Sequence, residues 1–450
     1  MTAKYDLIII GSGSASTTTA FRALKAGKKI AVIDQKPIGG TCALRGCDPK
    51  KVMVGVTDSL EHAKRLQGYG ISDFKGELNW DELMKFKSSF TEPMSKKIEE
   101  SLVKSGIDVH RGRAKFIKPD TLEVEGKPLE AEKFLISSGV KAATLNFPGS
   151  EYLIDNEEFL NLPSLPKNLV FIGGGYISVE FASIARKAGS EATIIQHSDR
   201  ILVNFDKEVA EVLSKQLKDS GIRTLTSSSV KEIQKSGGKY EIRLARDGKE
   251  HSITADLVVH GAGREFDSDM GLEVGQVKWS RKGVAVNEYL QSVSNPRVYA
   301  AGDSADTSGP KLTPIAVMEG NIAAENIING NSVKANYTGI PTSVFSSPPL
   351  AMVGITEEGA SRKGIKTTVK KGEMTSWYNS RRRMVPSSFY KIIMNEDSSK
   401  ILGAHILGEN SEETINIFAL AIRLGIDVKT LLSIPYTYPS DTNDIRYMIG

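Results

Sequence analysis

Only two cysteines occur in 450 residues, so no disulfide framework holds this chain and a small stapled secreted domain is excluded. Long hydrophobic runs are missing too. The first one, Leu7-Ile8-Ile9-Ile10, is far short of the ~20 apolar residues of a membrane span and runs into a glycine turn rather than a signal-peptide cleavage site. The expectation is a protein of the reducing cytoplasm with no membrane anchor. An excess of one charge is likewise lacking: 58 Lys and Arg face 54 Asp and Glu, giving +4. The sequence pI near 8.7 lies below the range of nucleic-acid-binding domains. Small-molecule partners are expected rather than nucleic acid, and no residue set is assigned to a resident metal.

What the chain does have is ordinary globular composition, 40% hydrophobic and 25% charged, and length for about three domains of ~150 residues. Residues 7–20 read as apolar strand, glycine turn and small-residue helix, and residues 169–182 read the same way again. Two dinucleotide-binding units follow from that duplication. The proline-punctuated Asn161-Leu-Pro-Ser-Leu-Pro-Lys reads as a connection, with a boundary near residue 147. Short strands and a helix over 315–328 are expected next. From Asn336 onward come strands over 391–394 and 402–407 and a helix over 414–424, whose Ile415, Phe418, Ala419 and Ile422 form a core face. The run Arg381-Arg382-Arg383 reads as a solvated face.

Gly11-Ser-Gly13-Ser-Ala-Ser16 follows the first strand and opens a helix, so its amides can point at a pyrophosphate. Ser16 replaces a third glycine yet is small enough for close packing. The next strand ends in Asp34, about 20 residues on, where a carboxylate can accept ribose hydroxyls. Cys42-Ala-Leu-Arg-Gly-Cys47 begins eight residues after Asp34. In a regular helix residues five apart lie ~9 Å from each other, beyond the ~7 Å reach of a disulfide, so a bridge requires an irregular turn that Gly46 can supply. Pro49 suits the first turn of a helix, which places Cys47 at a positive dipole end near Lys50 and Lys51 and favours a thiolate.

With Gly39-Gly40-Thr41-Cys42, Cys47, Pro49 and Lys51 in view, the sequence resembles the class I pyridine nucleotide-disulfide oxidoreductases, the family of glutathione reductase, dihydrolipoamide dehydrogenase and mercuric reductase, along essentially its whole length. The resemblance implies an α/β fold: two Rossmann-like dinucleotide-binding domains, for FAD and NAD(P)H, plus a C-terminal α+β dimerisation domain. It implies that the first dinucleotide is FAD, that Cys47 is the flavin-proximal charge-transfer thiol, that Cys42 is the interchange thiol and that Lys51 lies at the flavin N5 edge. Lys50 and Asp48 depart from the family's usual Ser or Thr and apolar residue, so the local electrostatics are unusual. Ser138-Gly139 resembles the turn ending the first FAD segment, and Ala300-Ala301-Gly302-Asp303 the motif whose aspartate binds the ribityl chain.

Gly173-Gly-Gly175-Tyr176-Ile177-Ser178-Val-Glu180 repeats the nucleotide-binding pattern for NAD(P)H. By resemblance Tyr176 gates the nicotinamide pocket, Glu180 pairs with Lys51, and Gly263-Arg264 is a further coenzyme-contacting turn. Neutral Gln196 stands where NAD enzymes place a ribose-binding carboxylate, and His197 and Arg200 can receive a phosphate. NADPH is therefore favoured, with NADH still open. Near the C-terminus the resemblance fails: Tyr438 takes the place of the family's acid–base histidine and Asn443 that of its supporting glutamate. Mercuric reductases share the tyrosine, yet their second cysteine pair is absent here.

These readings divide the chain into an FAD-binding part (1–147 and 267–335), an NAD(P)H-binding part (148–266) and a dimerisation part (336–450), with a homodimer implied by the resemblance. The expected function is NADPH-dependent reduction of a disulfide or similar two-electron acceptor, a small molecule, at Cys42. Reduction of a metal ion, quinone or small electrophile is the alternative enzyme reading, and a non-enzymatic flavin-binding protein is the reading from another class.

Overall fold

The apolar runs form the strands that the duplication implies. In the computed structural model, which describes residues 3–450, the chain divides into two compact units. The first takes residues up to Lys50 together with 85–144 and 264–337. Its central strand, Ala3–Ile10, runs parallel to Ile30–Asp34 on one side and Lys127–Ile136 on the other. Asp108–Arg111 extends the sheet beyond Ile30–Asp34, and Val298–Ala300 runs parallel to Lys127–Ile136. Leu7, Ile8 and Ile9 have no exposed surface, as expected of a parallel strand covered on both faces, and each such side chain contributes roughly 1.5–3 kcal/mol.

The turn after this strand admits only glycine. Gly11 has φ +104°, and a Cβ there would lie 2.4 Å from the Ser137 carbonyl oxygen. Helix Ser14–Lys25 follows with no acidic residue in its first turn and no side-chain cap, while Arg22 and Lys25 in the last turn complement its dipole.

The second unit takes residues 51–84, 145–263 and 338–450. Its parallel sheet runs in the order Ile222–Leu225, Glu191–Ile195, Asn168–Ile172, Leu257–His260. The duplication is structural: Gly173 has φ +100°, a Cβ on it would lie 2.4 Å from the Gly261 carbonyl oxygen, and the uncapped helix Tyr176–Lys187 is 12 residues long, as Ser14–Lys25 is. Phe159 stacks on Phe181 at 4.2 Å in the core beneath.

Beyond residue 338 an antiparallel five-stranded sheet runs Pro341–Val344, Leu350–Gly354, Ile401–Leu407, Phe389–Asn395, Thr367–Glu373. Helix Ser411–Leu424 buries Ile415, Phe418 and Ala419 against Ile392, Ala404 and Ile406, with Ile422 partly covered. The helix expected over 315–328 forms Thr313–Asn329 in the first unit.

Two charged residues depart from expectation. Lys391 is 3% exposed on a core strand, held by Asp206 at 3.0 Å, Glu208 at 3.2 Å and Glu357 at 2.5 Å. Burial alone would lower its pKa, but the bonds to Glu357 and Asp206 outweigh burial and hold it above the usual lysine value. The run Arg381-Arg382-Arg383 is solvated only in part. Arg383 is 7% exposed, and its guanidinium grips the Asp441 carboxylate with both terminal nitrogens and meets Glu409 at 3.2 Å. A sequence run cannot show that its third member turns inward to two acids far along the chain.

Candidate active site

The cysteine segment is folded around its glycines. Gly40, at φ +76°, is pressed on the first nucleotide turn so closely that a Cβ would lie 2.4 Å from Gly13 Cα. A short helix, Gly40–Arg45, stops at Gly46, whose φ of −148° and ψ of −102° are not helical. A new helix, Cys47–Arg65, starts at the next residue. This break releases Cys42 and Cys47 from the spacing of a continuous helix and brings their sulfurs within hydrogen-bonding reach; both are free thiols here. Gly46 packs against Thr41, and a Cβ there would meet the Thr41 carbonyl oxygen at 3.1 Å.

The two sulfurs are electrostatically unlike. Cys47 is pulled down to about 6, chiefly by the hydrogen bond from Cys42; burial opposes this, and the Thr313 hydroxyl and Lys50 add to it. Thr313 Oγ1, at the start of helix Thr313–Asn329, stands 3.6 Å from Cys47 Sγ, and Cys47 itself opens helix Cys47–Arg65, where the dipole favours negative charge. Cys42 moves the other way, raised by its bond to Cys47, by burial and by the charge of Asp48, whose Oδ1 lies 3.9 Å from Cys42 Sγ.

Around the first turn, Ser12 Oγ donates to Asp34 Oδ2 at 2.6 Å and accepts from Gly39 N at 2.9 Å, tying the strand-end carboxylate to the cysteine segment. Ser16 is buried and bonded to Ser137 at 2.7 Å. Ser138 and Gly139 meet the Gly302-Asp303 turn through Ser304, whose hydroxyl accepts from Gly139 N at 2.7 Å. Asp303 pairs with Arg264 at 3.1 Å; the arginine assigned to the coenzyme is engaged with the aspartate assigned to the ribityl chain, while Gly263, at φ +106°, has open space at its Cα. Buried Glu319 accepts from Gly302 N at 2.6 Å, from Thr307 at 3.1 Å and from Tyr337 at 2.6 Å. Sequence reading missed this residue: Glu319 is one of two glutamates in helix Thr313–Asn329, and nothing in the sequence shows that it is the one turned inward.

The residues present fit FAD. A turn in which Gly11 and Gly40 leave no room for a Cβ lies before a helix with no side-chain cap and no acidic residue in its first turn, which suits a pyrophosphate. Asp34, the Ser138-Gly139 turn and the Gly302-Asp303 turn all lie at or just past the C-terminal ends of parallel strands of the first unit's sheet.

In the second unit the Gln196 side chain is buried, and its Oε1 accepts from Gly174 N at 2.9 Å. His197 is exposed. Arg200 is turned to Glu358 at 3.3 Å and Asp199 at 3.9 Å, so the two residues read as phosphate receivers are not drawn together by a common partner. Ser178 Oγ is buried against Gly261 with no hydrogen-bond partner. Tyr176 bonds to Thr342 at 2.9 Å and, with Ile177, packs on the core.

Lys51 takes a carboxylate that the sequence did not signal: Glu412, at 3.3 Å. The ammonium also lies 3.8 Å from the centre of the Phe345 ring, and the Phe345 amide donates to Glu180 Oε1 at 3.0 Å. Lys51 and Glu180 therefore converge on one phenylalanine. One oxygen of Glu412, Oε2, is buried with no partner.

Tyr438 is 73% exposed and its neighbour Asn443 is buried. The segment they share is clamped by Asp441, which holds Arg383 and accepts from Asn410 at 2.7 Å. Among the described residues no group of three or more His, Cys, Asp and Glu is placed to hold a metal ion, and no helix is long and apolar enough to cross a membrane.

Two glycine-cradled nucleotide turns with a cysteine pair beside the first define a flavoprotein oxidoreductase fold. The chain belongs to the pyridine nucleotide-disulphide oxidoreductase family: residues 5–320 match that family and residues 340–448 match its dimerisation domain. Members are FAD-dependent oxidoreductases that use a pyridine nucleotide. The chain is 33% identical to a glutathione reductase of Nostoc sp., covering 100% of both proteins, and 32% identical to a mercuric reductase of Staphylococcus aureus, covering 95% of this chain and 78% of that one. It is 28% identical to a dihydrolipoyl dehydrogenase of Geobacillus stearothermophilus, covering 97% and 93%. Among solved structures it resembles the Cu(II) complex of the HOCl-induced flavoprotein disulfide reductase RclA from Escherichia coli, with a TM-score of 0.89, 26% identity and 99% of both chains covered.

Proposed function

We propose that the protein is an NADPH-preferring flavoenzyme that reduces a disulfide or similar small two-electron acceptor through Cys42 and Cys47. The observation that carries this reading is the broken helix at Gly46, which leaves Cys47 as the acidic thiol beside Thr313 and Cys42 as the raised one. FAD, when bound, would take a hydride from the nicotinamide and pass two electrons to the cysteine pair. Gly11, Gly13, Ser16, Asp34 and Asp303 would hold it. Cys47 would keep its negative charge through Cys42, Thr313 and Lys50, and Cys42 would meet the acceptor. Lys51 and Glu180 would set the charge beside Phe345. The division of labour follows as residues 1–147 with 267–335 for FAD, 148–266 for NAD(P)H and 336–450 for a homodimer. The preference for NADPH rests on the neutral Gln196 at the end of the strand Glu191–Ile195.

A second reading, reduction of a metal ion, is favoured by Tyr438 in place of the family's histidine. Steady-state turnover with NADPH and NADH against disulfides, Hg(II), Cu(II) and quinones, in the wild type, Cys42→Ser and Cys47→Ser, separates the two. Disulfide turnover lost in both variants supports the main reading. Metal turnover without disulfide turnover favours the second, and activity that survives both substitutions refutes a role for the pair. Glutathione disulfide should be reduced ~100- to 10,000-fold less efficiently than by a member with the His–Glu pair, the usual value of acid–base assistance.

A further inference from the structure

We propose that Asp48 is a specificity-determining residue that makes Cys42 select acceptors bearing positive charge, or none, against anionic ones. This rests on the reading of Cys42 as the thiol that meets the acceptor. Asp48 Oδ1 lies 3.9 Å from Cys42 Sγ, on the first turn of helix Cys47–Arg65, and is exposed. Lys50 acts on Cys47, Thr313 stands 3.6 Å from Cys47 Sγ, and the Arg45 guanidinium donates to the Pro37 carbonyl oxygen at 3.5 Å. The sulfur that must approach an incoming molecule thus carries a carboxylate at its side.

The step this charge acts on is thiol–disulfide exchange. Cys42 passes its proton to the Cys47 thiolate that it hydrogen-bonds and attacks one sulfur of R–S–S–R, forming Cys42–S–S–R and releasing RS⁻, which takes that proton. The Cys47 thiolate then attacks the Cys42 sulfur, closing the Cys42–Cys47 disulfide and releasing the second RS⁻. The cysteine pair loses two electrons, the acceptor gains them, and the pyridine nucleotide restores them. A charged arm on R lies near Asp48 during the first attack. Coulomb's law at ~6 Å with an effective dielectric constant between about 40 and 80 gives about three- to ten-fold per unit charge. A helix-dipole role for Asp48 would stabilise the fold but would not sort acceptors by charge.

The test compares three alkyl disulfides that differ in charge: cystamine (cationic), 2-hydroxyethyl disulfide (neutral) and 3,3′-dithiodipropionate (anionic). In the wild type kcat/KM should fall in that order. In Asp48→Asn the ratio of cystamine to dithiodipropionate should shrink about ten-fold or more. An independent arm uses Cys47→Ser, in which Cys42 is the only thiol, and measures alkylation by neutral iodoacetamide against anionic iodoacetate. The ratio of the two rates cancels any change in thiol pKa, and Asp48→Asn in that background should lower it about three- to ten-fold. Added salt should lower it without any substitution at Asp48. An alkylation ratio that ignores both Asp48→Asn and salt overturns the proposal. A ratio that shifts in a protein that reduces none of the disulfides upholds charge selection at Cys42 and refutes the disulfide-reductase reading instead.

Discussion

The Cys42→Ser protein isolates the feature on which the site's chemistry turns, because it leaves Cys47 as the only thiol of the chain and keeps a hydroxyl donor at position 42. In the structure Cys47 is pulled down to about 6 by the Cys42 hydrogen bond first, with Thr313 and Lys50 adding to it against burial. The pH dependence of iodoacetamide alkylation should therefore show an inflection well below the ordinary thiol value of ~8.5, with reactivity rising as pH climbs through it. Adding Thr313→Val removes the hydroxyl at 3.6 Å while keeping the side chain's shape. A hydrogen bond to a charged group is worth roughly 1.5–3 kcal/mol. The long contact and the exposure of Cys47 reduce that to about 1 kcal/mol, so the inflection should move up by ~0.7 pH units. Lys50→Met should move it up as well. An inflection at the ordinary thiol value in Cys42→Ser, insensitive to Thr313→Val, would refute the assignment of Cys47 as the stabilised thiolate.

Three further outcomes follow from single side chains. Gln196→Glu preserves the oxygen that accepts from Gly174 N at 2.9 Å and adds only charge, so the NADPH-to-NADH ratio of kcat/KM should fall about five- to ten-fold; a wild-type preference for NADH would defeat the coenzyme argument. Gly11→Ala forces a Cβ to within 2.4 Å of a carbonyl oxygen at φ +104°, so the purified protein should lose its flavin absorbance, and full flavin content would contradict the cradle. Lys391→Met strips the shared cation from Asp206, Glu208 and Glu357 and should destabilise by ~3–5 kcal/mol. Asp206 and Glu208 are held below their ordinary 3.8 and 4.5, so in the wild type their contribution is present above those values and lost as pH falls below them. Glu208 keeps Lys371 at 2.8 Å in the variant, so the loss falls chiefly on Asp206, and the fall of the urea denaturation midpoint on acidification should be shallower than in the wild type; an unchanged pH slope would contradict it.

The sequence displays whatever depends on local backbone geometry. Gly11 and Gly173 announce two tight turns because no other residue fits φ near +100° against a carbonyl, and Gly46 announces the break between the cysteines. The apolar periodicity of Ile415, Phe418 and Ala419 gives their helix its buried face. What the sequence conceals is pairing between distant residues. Arg383 reads as one of three surface arginines until the fold brings Asp441 and Glu409 to it. Glu412 is one acid of a helix first turn until it meets Lys51. Arg200 reads as a phosphate ligand until Glu358 engages it. Such long-range ion pairs have no periodicity, and only the folded topology selects among the many acids and bases available.

The most direct test of the redox pair is a thiol count before and after reduction. The purified, oxidised enzyme is treated anaerobically with one equivalent of NADPH, trapped with iodoacetamide and analysed by mass spectrometry. The account predicts that neither Cys42 nor Cys47 is alkylated without NADPH, and that both are after it is added and the protein is denatured in the presence of the trap. Equal alkylation of the two cysteines with and without NADPH would contradict it.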